Sequence, residues 1–127
     1  MYFSEILFNF SFLMNRPTGI NVYAYNVLSY LQKELSPIVI TPQQLSDYQC
    51  YLISWDYTLE KGLPAHFNRL LWTQWQLPRI YHRLNANLVF SPLPEVPIAS
   101  SCRSVITVHD LIQLRFPKKI SPFFRFY

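Results

Sequence analysis

Glycine is scarce in this chain, with two in 127 residues against ten prolines. No G-x-G-x-x-G and no G-x-x-x-x-G-K-[ST] run exists, so neither a dinucleotide fingerprint nor a P-loop is present. Turns must lean on proline instead. Cys50 and Cys102 are too few for a disulfide framework, and no C-x-x-C spacing offers a metal site, which fits a reducing compartment. Only 14% of residues are charged, so solvating surface is thin. No apolar run approaches the ~18 residues of a transmembrane helix. The apolar start YFSEILFNFSFLM is interrupted by Glu5 and has no basic region or small-residue cleavage site, unlike a secretory signal. A glycosylation sequon, Asn9-Phe10-Ser11, falls inside a predicted strand and reads as chance.

Core material, by contrast, is abundant. Hydrophobic residues make up 50% of the chain and aromatics 17%. At this length that supports one domain, residues 1–127, with a real core. Charge is unevenly spread. Residues 1–60 carry two basic and five acidic side chains, residues 61–127 nine and two, for net charges of −3 and +7. A basic half suits phosphate, nucleic acid or an anionic membrane surface, and the ordinary alternative is solvated surface Arg and Lys.

Apolar β-branched and aromatic runs alternate with segments of helical period. Ile6–Leu13 reads as a first strand. MNRPTG, Met14–Gly19, is a turn, and Thr18 caps a helix over Ile20–Leu35, whose apolar residues recur at spacings of three and four. Pro37–Thr41 and Tyr48–Ser54 read as strands two and three. Gln43–Asp47 reads as loop and Trp55–Pro64 as irregular. A second helical pattern spans Ala65–Leu84, which Pro78 should break or kink. Leu88–Phe90 is a strand, Ser91–Pro97 a proline-rich loop, and Val105–Val108 a buried parallel strand. Ser121-Pro122 opens a further helix. This alternation predicts an α/β fold: a Rossmann-like parallel sheet flanked by helices.

Ligands of open α/β sheets sit outside the carboxyl ends of the strands. Two segments fall there. The first is Arg16-Pro17-Thr18-Gly19, where amides at a helix N-terminus carry partial positive charge toward an anion. Arg16 can add a bidentate contact, and Gly19 allows close approach; the alternative is an ordinary turn with an ordinary cap. The second is His109-Asp110, at the end of the last strand. Metal ligation there needs further His and Asp ligands on helices, whereas His66 and His82 belong to the amphipathic helix and Asp47 and Asp56 to loops. No G-x-S-x-G elbow supports a Ser-His-Asp triad. What remains is a histidine that hydrogen-bonds a bound hydroxyl or phosphate, or one that merely caps the strand. A third feature is Arg79 and Arg83, one turn apart, with Arg69 further back and Trp72, Trp75 and Tyr81 interleaved. This face suits an anionic membrane or nucleic acid. The alternative is a solvated face whose aromatics pack inside.

The order RPTGI before a Tyr-containing helix, then WTQWQLP, LVFSP and VITVHDLIQLRFP, resembles the N-terminal domain of retaining GT-B glycosyltransferases of family 4. The mannosyltransferase-like branch that builds cell-surface polysaccharide is the nearest in pattern. The resemblance covers most of the chain apart from about Thr41 to Leu63. It implies that these residues are the acceptor-side, N-terminal half of an enzyme. That enzyme transfers a hexosyl group from a nucleoside diphosphate sugar to a glycan or lipid-linked acceptor, with retention and no metal or other cofactor. It further implies that Arg16, Pro17, Thr18 and Gly19 line the donor diphosphate and that His109, beside Asp110, contacts the transferred sugar. Where the family carries a second glycine, this chain has Asn21, which tolerates left-handed backbone better than most residues. The donor-binding acidic and basic residues of the family lie in a C-terminal domain outside these 127 residues. The expected partners are therefore that domain, the nucleotide sugar and the acceptor, with no nucleic acid. The expected place is cytoplasmic, with Arg79 and Arg83 holding the domain at the inner face of the plasma membrane. The alternative is a non-catalytic remnant or interaction module that pairs with a separate donor-domain chain.

Overall fold

The structure, a computed structural model, describes residues 5–13, 18–54, 62–111 and 115–116, with backbone alone at 62–66. Five strands form one all-parallel sheet: β1 (Ile6–Asn9), β2 (Ile38–Thr41), β3 (Gln49–Leu52), β4 (Leu88–Ser91) and β5 (Ser104–Ile106). Their order is β3-β2-β1-β4-β5. Helix α1 (Gly19–Glu34) connects β1 to β2, and α2 (Gly62–Arg83) connects β3 to β4. The predicted Rossmann-like α/β fold is present. Strand order reverses at β1, so the crevice between the ends of β1 and β4 is the switch point where ligands of such sheets bind.

Period-two alternation divides the core between the two faces of the sheet. Leu7, Ile38, Ile40 and Val89 point to one face and pack with Trp72, Leu77, Ile80 and Tyr81 of α2. Phe8, Val39 and Phe90 point to the other and pack with Ala24 and Leu28 of α1. The central strands are apolar on both sides, as strands covered on both faces must be.

Several boundaries differ from the sequence reading, each for a local reason. β1 stops at Asn9 rather than Leu13. The Asn9 side-chain oxygen accepts from the Ser11 amide at 3.3 Å, which turns the chain out of the strand. α2 begins at Gly62 and runs unbroken through Pro78. Pro78 removes one ladder bond, but the buried Leu77, Ile80 and Tyr81 hold its flanks to the sheet. β5 is not a buried strand. It forms the sheet edge, and Val105 and Ile106 are 47% and 40% exposed. A helix opening at Ser121-Pro122 lies outside the described residues.

Glycine scarcity leaves a mark at the helix ends. The left-handed residues that follow α1 and α2 are Ser36 (φ 44°) and Asn85 (φ 51°). After α2, the Asn85 amide donates to the His82 carbonyl at 3.2 Å and the Ala86 amide to the Tyr81 carbonyl at 3.0 Å. This is a Schellman closure with asparagine where glycine is usual.

Candidate functional site

The N-terminus of α1 is capped as its sequence foretells. Thr18 is extended, its hydroxyl accepts from the Asn21 amide at 3.4 Å, and its carbonyl accepts from Val22 at 2.9 Å. That leaves the Gly19 and Ile20 amides without a partner among the described residues. No acidic residue occupies the first turn, so the helix end keeps its partial positive charge. Gly19 is exposed, and a side chain there would meet nothing within 4 Å. Asn21 is helical and buried rather than left-handed. The asparagine at this position therefore needs no unusual backbone. Arg16 and Pro17 lie outside the described residues.

One turn after Gly19, Tyr23 reaches across to the loop that follows β5. Its hydroxyl shares a hydrogen bond with the Thr107 hydroxyl at 2.8 Å. Its ring meets the His109 ring edge to face, with centroids 4.9 Å apart and planes at 87°. His109 also bonds the Pro92 carbonyl through Nε2 at 2.7 Å. A carbonyl oxygen only accepts, so Nε2 carries the proton. In the neutral ring Nδ1 is then an acceptor. In that tautomer the free ring position of His109 is an acceptor, Nδ1, suited to a hydroxyl donor. Asp110 follows on the exposed surface.

Three loops meet here: the start of α1, the turn after β4 and the turn after β5. All lie at the carboxyl ends of their strands. Tyr23, one turn into the helix that Thr18 and Gly19 begin, brings that helix against His109. Ser91 and Ser11 sit at the ends of β4 and β1, fully buried, and their hydroxyls have no hydrogen-bond partner among the described residues. The crevice therefore offers a positive helix end, an imidazole acceptor and the Tyr23 and Thr107 hydroxyls. Such a set orients a polyhydroxylated or anionic ligand.

Arg79 and Arg83 belong elsewhere. They project from α2, on the opposite face of the sheet from α1, and line a groove beside β3. Arg69 does not share their face. It is 1% exposed and holds Glu95, itself 8% exposed, through two hydrogen bonds of 2.7 and 2.6 Å. Gln74 seconds this clamp, donating to the Val96 carbonyl and accepting from the Ile98 amide, each at 2.9 Å. The proline-rich loop is thereby fixed to α2.

Sequence reasoning singled out neither Tyr23 as a connector nor Glu95. The signal for Tyr23 was its place one helical turn beyond Gly19. For Glu95 it was a lone carboxylate within Ser-Pro-Leu-Pro-Glu-Val-Pro, where nothing nearby in sequence can neutralise it.

No described helix is long and apolar enough to cross a membrane. No family model, curated protein or solved structure matches the chain.

Proposed function

We propose that these residues form the acceptor-side domain of a GT-B sugar-nucleotide-dependent glycosyltransferase. The carrying observation is the joining of the α1 N-terminus to His109 through Tyr23 at the switch point of the sheet. In this reading the donor is a nucleoside diphosphate hexose and the acceptor a glycan or lipid-linked saccharide. The amides of Gly19 and Ile20 face the donor diphosphate, and His109 Nδ1 accepts from a hydroxyl of the transferred sugar. His109 thereby orients the sugar while the anomeric bond to phosphate lengthens. The charges that stabilise the departing diphosphate come from a second domain outside these residues, and such charges supply most of the rate enhancement. The 127-residue chain alone is accordingly expected to show no transfer above background.

Saturation-transfer NMR with UDP-glucose and GDP-mannose tests the reading on the chain itself. The hexose protons should receive saturation, and both His109→Ala and Thr18→Ala should weaken it. Signals that are absent, or unchanged in His109→Ala, would overturn the assignment.

A second reading keeps the fold and drops the chemistry: a module whose β5 edge receives another chain. The exposure of Val105, Ile106 and Val108 favours it. It predicts a stable complex in light scattering and no saturation transfer to any sugar nucleotide.

A further inference from the structure

The groove beside α2 arises from a short connection. β2 and β3 are parallel, yet only residues 42–48 join them, with no helix. A parallel crossover ordinarily takes at least 10–12 residues and carries one. Leu45 and Tyr48 of this short crossover pack on the α1 face. Along β3, the α2 face therefore lacks a neighbouring helix among the described residues. What remains is a groove of about 460 Å³ between β3 and α2, within the usual size range of small-ligand sites.

The groove is polarised along its length. Trp72 and Trp75 line it at the level of the middle of α2, Leu52 closes its β3 side, and Trp75 is 60% exposed. One and two turns further along α2 stand Arg79 and Arg83. The Arg83 guanidinium donates to the Tyr51 hydroxyl at 3.2 Å, which turns it toward the strand side of the groove. None of its twelve described lining residues is acidic. Two like charges one turn apart on a helix repel each other. Among the described residues no carboxylate pairs with either.

We propose that this groove binds a phosphorylated amphiphile, its phosphate on Arg79 and Arg83 and its apolar chain along Trp72, Trp75 and Leu52. Arginine pairs suit a phosphate because each guanidinium offers paired donors, and the tryptophan faces suit a hydrocarbon chain. The inference does not depend on the transferase reading, since none of the residues that line the groove belongs to the Tyr23–Thr107–His109 contacts.

Tryptophan fluorescence tests it, with dodecyl phosphate below its micellar concentration as the probe. Dodecyl maltoside supplies the chain without the charge, and inorganic phosphate the charge without the chain. Saturable binding of dodecyl phosphate is expected, at least about tenfold tighter than either control. Arg79→Gln/Arg83→Gln should lose about tenfold or more of that affinity, and Trp75→Ala should weaken it with both arginines in place. Arg79 and Arg83 are exposed, so the double variant should melt like the parent. If it does not, Arg79→Gln alone decides. Equal binding of dodecyl maltoside, equal binding of inorganic phosphate, or unchanged affinity in the arginine variant would each overturn the proposal. So would binding to phosphatidylglycerol vesicles with no saturable binding of dodecyl phosphate, which would make the face a membrane surface rather than a groove.

Discussion

Two corners of the molecule tie a loop to a helix, and they do so with opposite chemistry. At one, the loop after β4 is fixed to α2 by Arg69 and Glu95, charged and buried. At the other, the loop after β5 meets α1 through Tyr23, Thr107 and His109, in contacts that involve no carboxylate and lie near the surface. A buried bidentate ion pair admits neither water nor ligand, so it suits a joint that must stay closed. Neutral hydrogen bonds near solvent exchange partners at small cost, so they suit a joint where a ligand competes. The corners are also linked in series. Pro92, whose carbonyl holds His109, and Glu95, held by Arg69, stand three residues apart in one loop. The closed corner thus presents the carbonyl that orients the open one.

The largest effect should come from breaking the closed corner. Glu95→Ala leaves the Arg69 guanidinium buried without its carboxylate, and such a loss costs about 3–5 kcal/mol. Urea unfolding followed by circular dichroism measures it. The paired change Arg69→Met/Glu95→Leu should recover most of that loss, because it removes both charges from the interior. A drop below about 1 kcal/mol in Glu95→Ala would erase the contrast between the corners.

Gln74→Ala comes next. It removes two hydrogen bonds that fasten residues 96 and 98, each worth about 0.5–1.5 kcal/mol net. If the corners act in series, this variant should also disturb His109. The ring nitrogens report that directly: the Nε2–H tautomer expected by ¹⁵N NMR in the parent should give way to a mixture. An unchanged tautomer would separate the two corners.

His109→Ala should act in the reverse sense, with little effect on stability and much on ligand. It loses one hydrogen bond near the surface, about 0.5–1.5 kcal/mol. Saturation transfer to the hexose protons should nonetheless fall to the level of a non-binding control. A variant that melts far below the parent would make His109 a structural residue.

The sequence disclosed the alternation of strands and helices, the Thr18 cap and the apolar central strands because those signals are local. It placed Thr18 at the cap of α1 and His109 just after β5, which is where they stand. It misplaced β5 in the interior, since an apolar β-branched run looks alike at the centre and at the edge of a sheet. Edge position is decided by how many neighbours pair, which is a tertiary property. Arg69 was grouped with Arg79 and Arg83 by helical spacing. Its partner lies 26 residues away, beyond the reach of any periodicity. Pro78, expected to break or kink this helix, lies inside a stretch that tertiary packing keeps continuous.

The smallest effect, and the finest test of the comparison, lies in the pair Tyr23 and Thr107. Tyr23→Phe keeps the ring against His109 and removes only the hydroxyl contact of 2.8 Å. Thr107→Val keeps the shape of the partner and removes the other hydroxyl. Each single variant leaves one hydroxyl to be satisfied by water, which the near-surface position allows. The double-mutant cycle should therefore yield a coupling of about 0.5–1 kcal/mol, the net value of a neutral hydrogen bond. Tyr23→Phe should leave the His109 tautomer intact, because the Pro92 carbonyl sets it. A coupling of several kcal/mol would mean that this corner is as closed as the Arg69–Glu95 corner. A ligand would then have to break it before entering, and saturation transfer should rise in Tyr23→Phe. A coupling within the expected range, with ligand signal unchanged, leaves the corner open as the geometry has it.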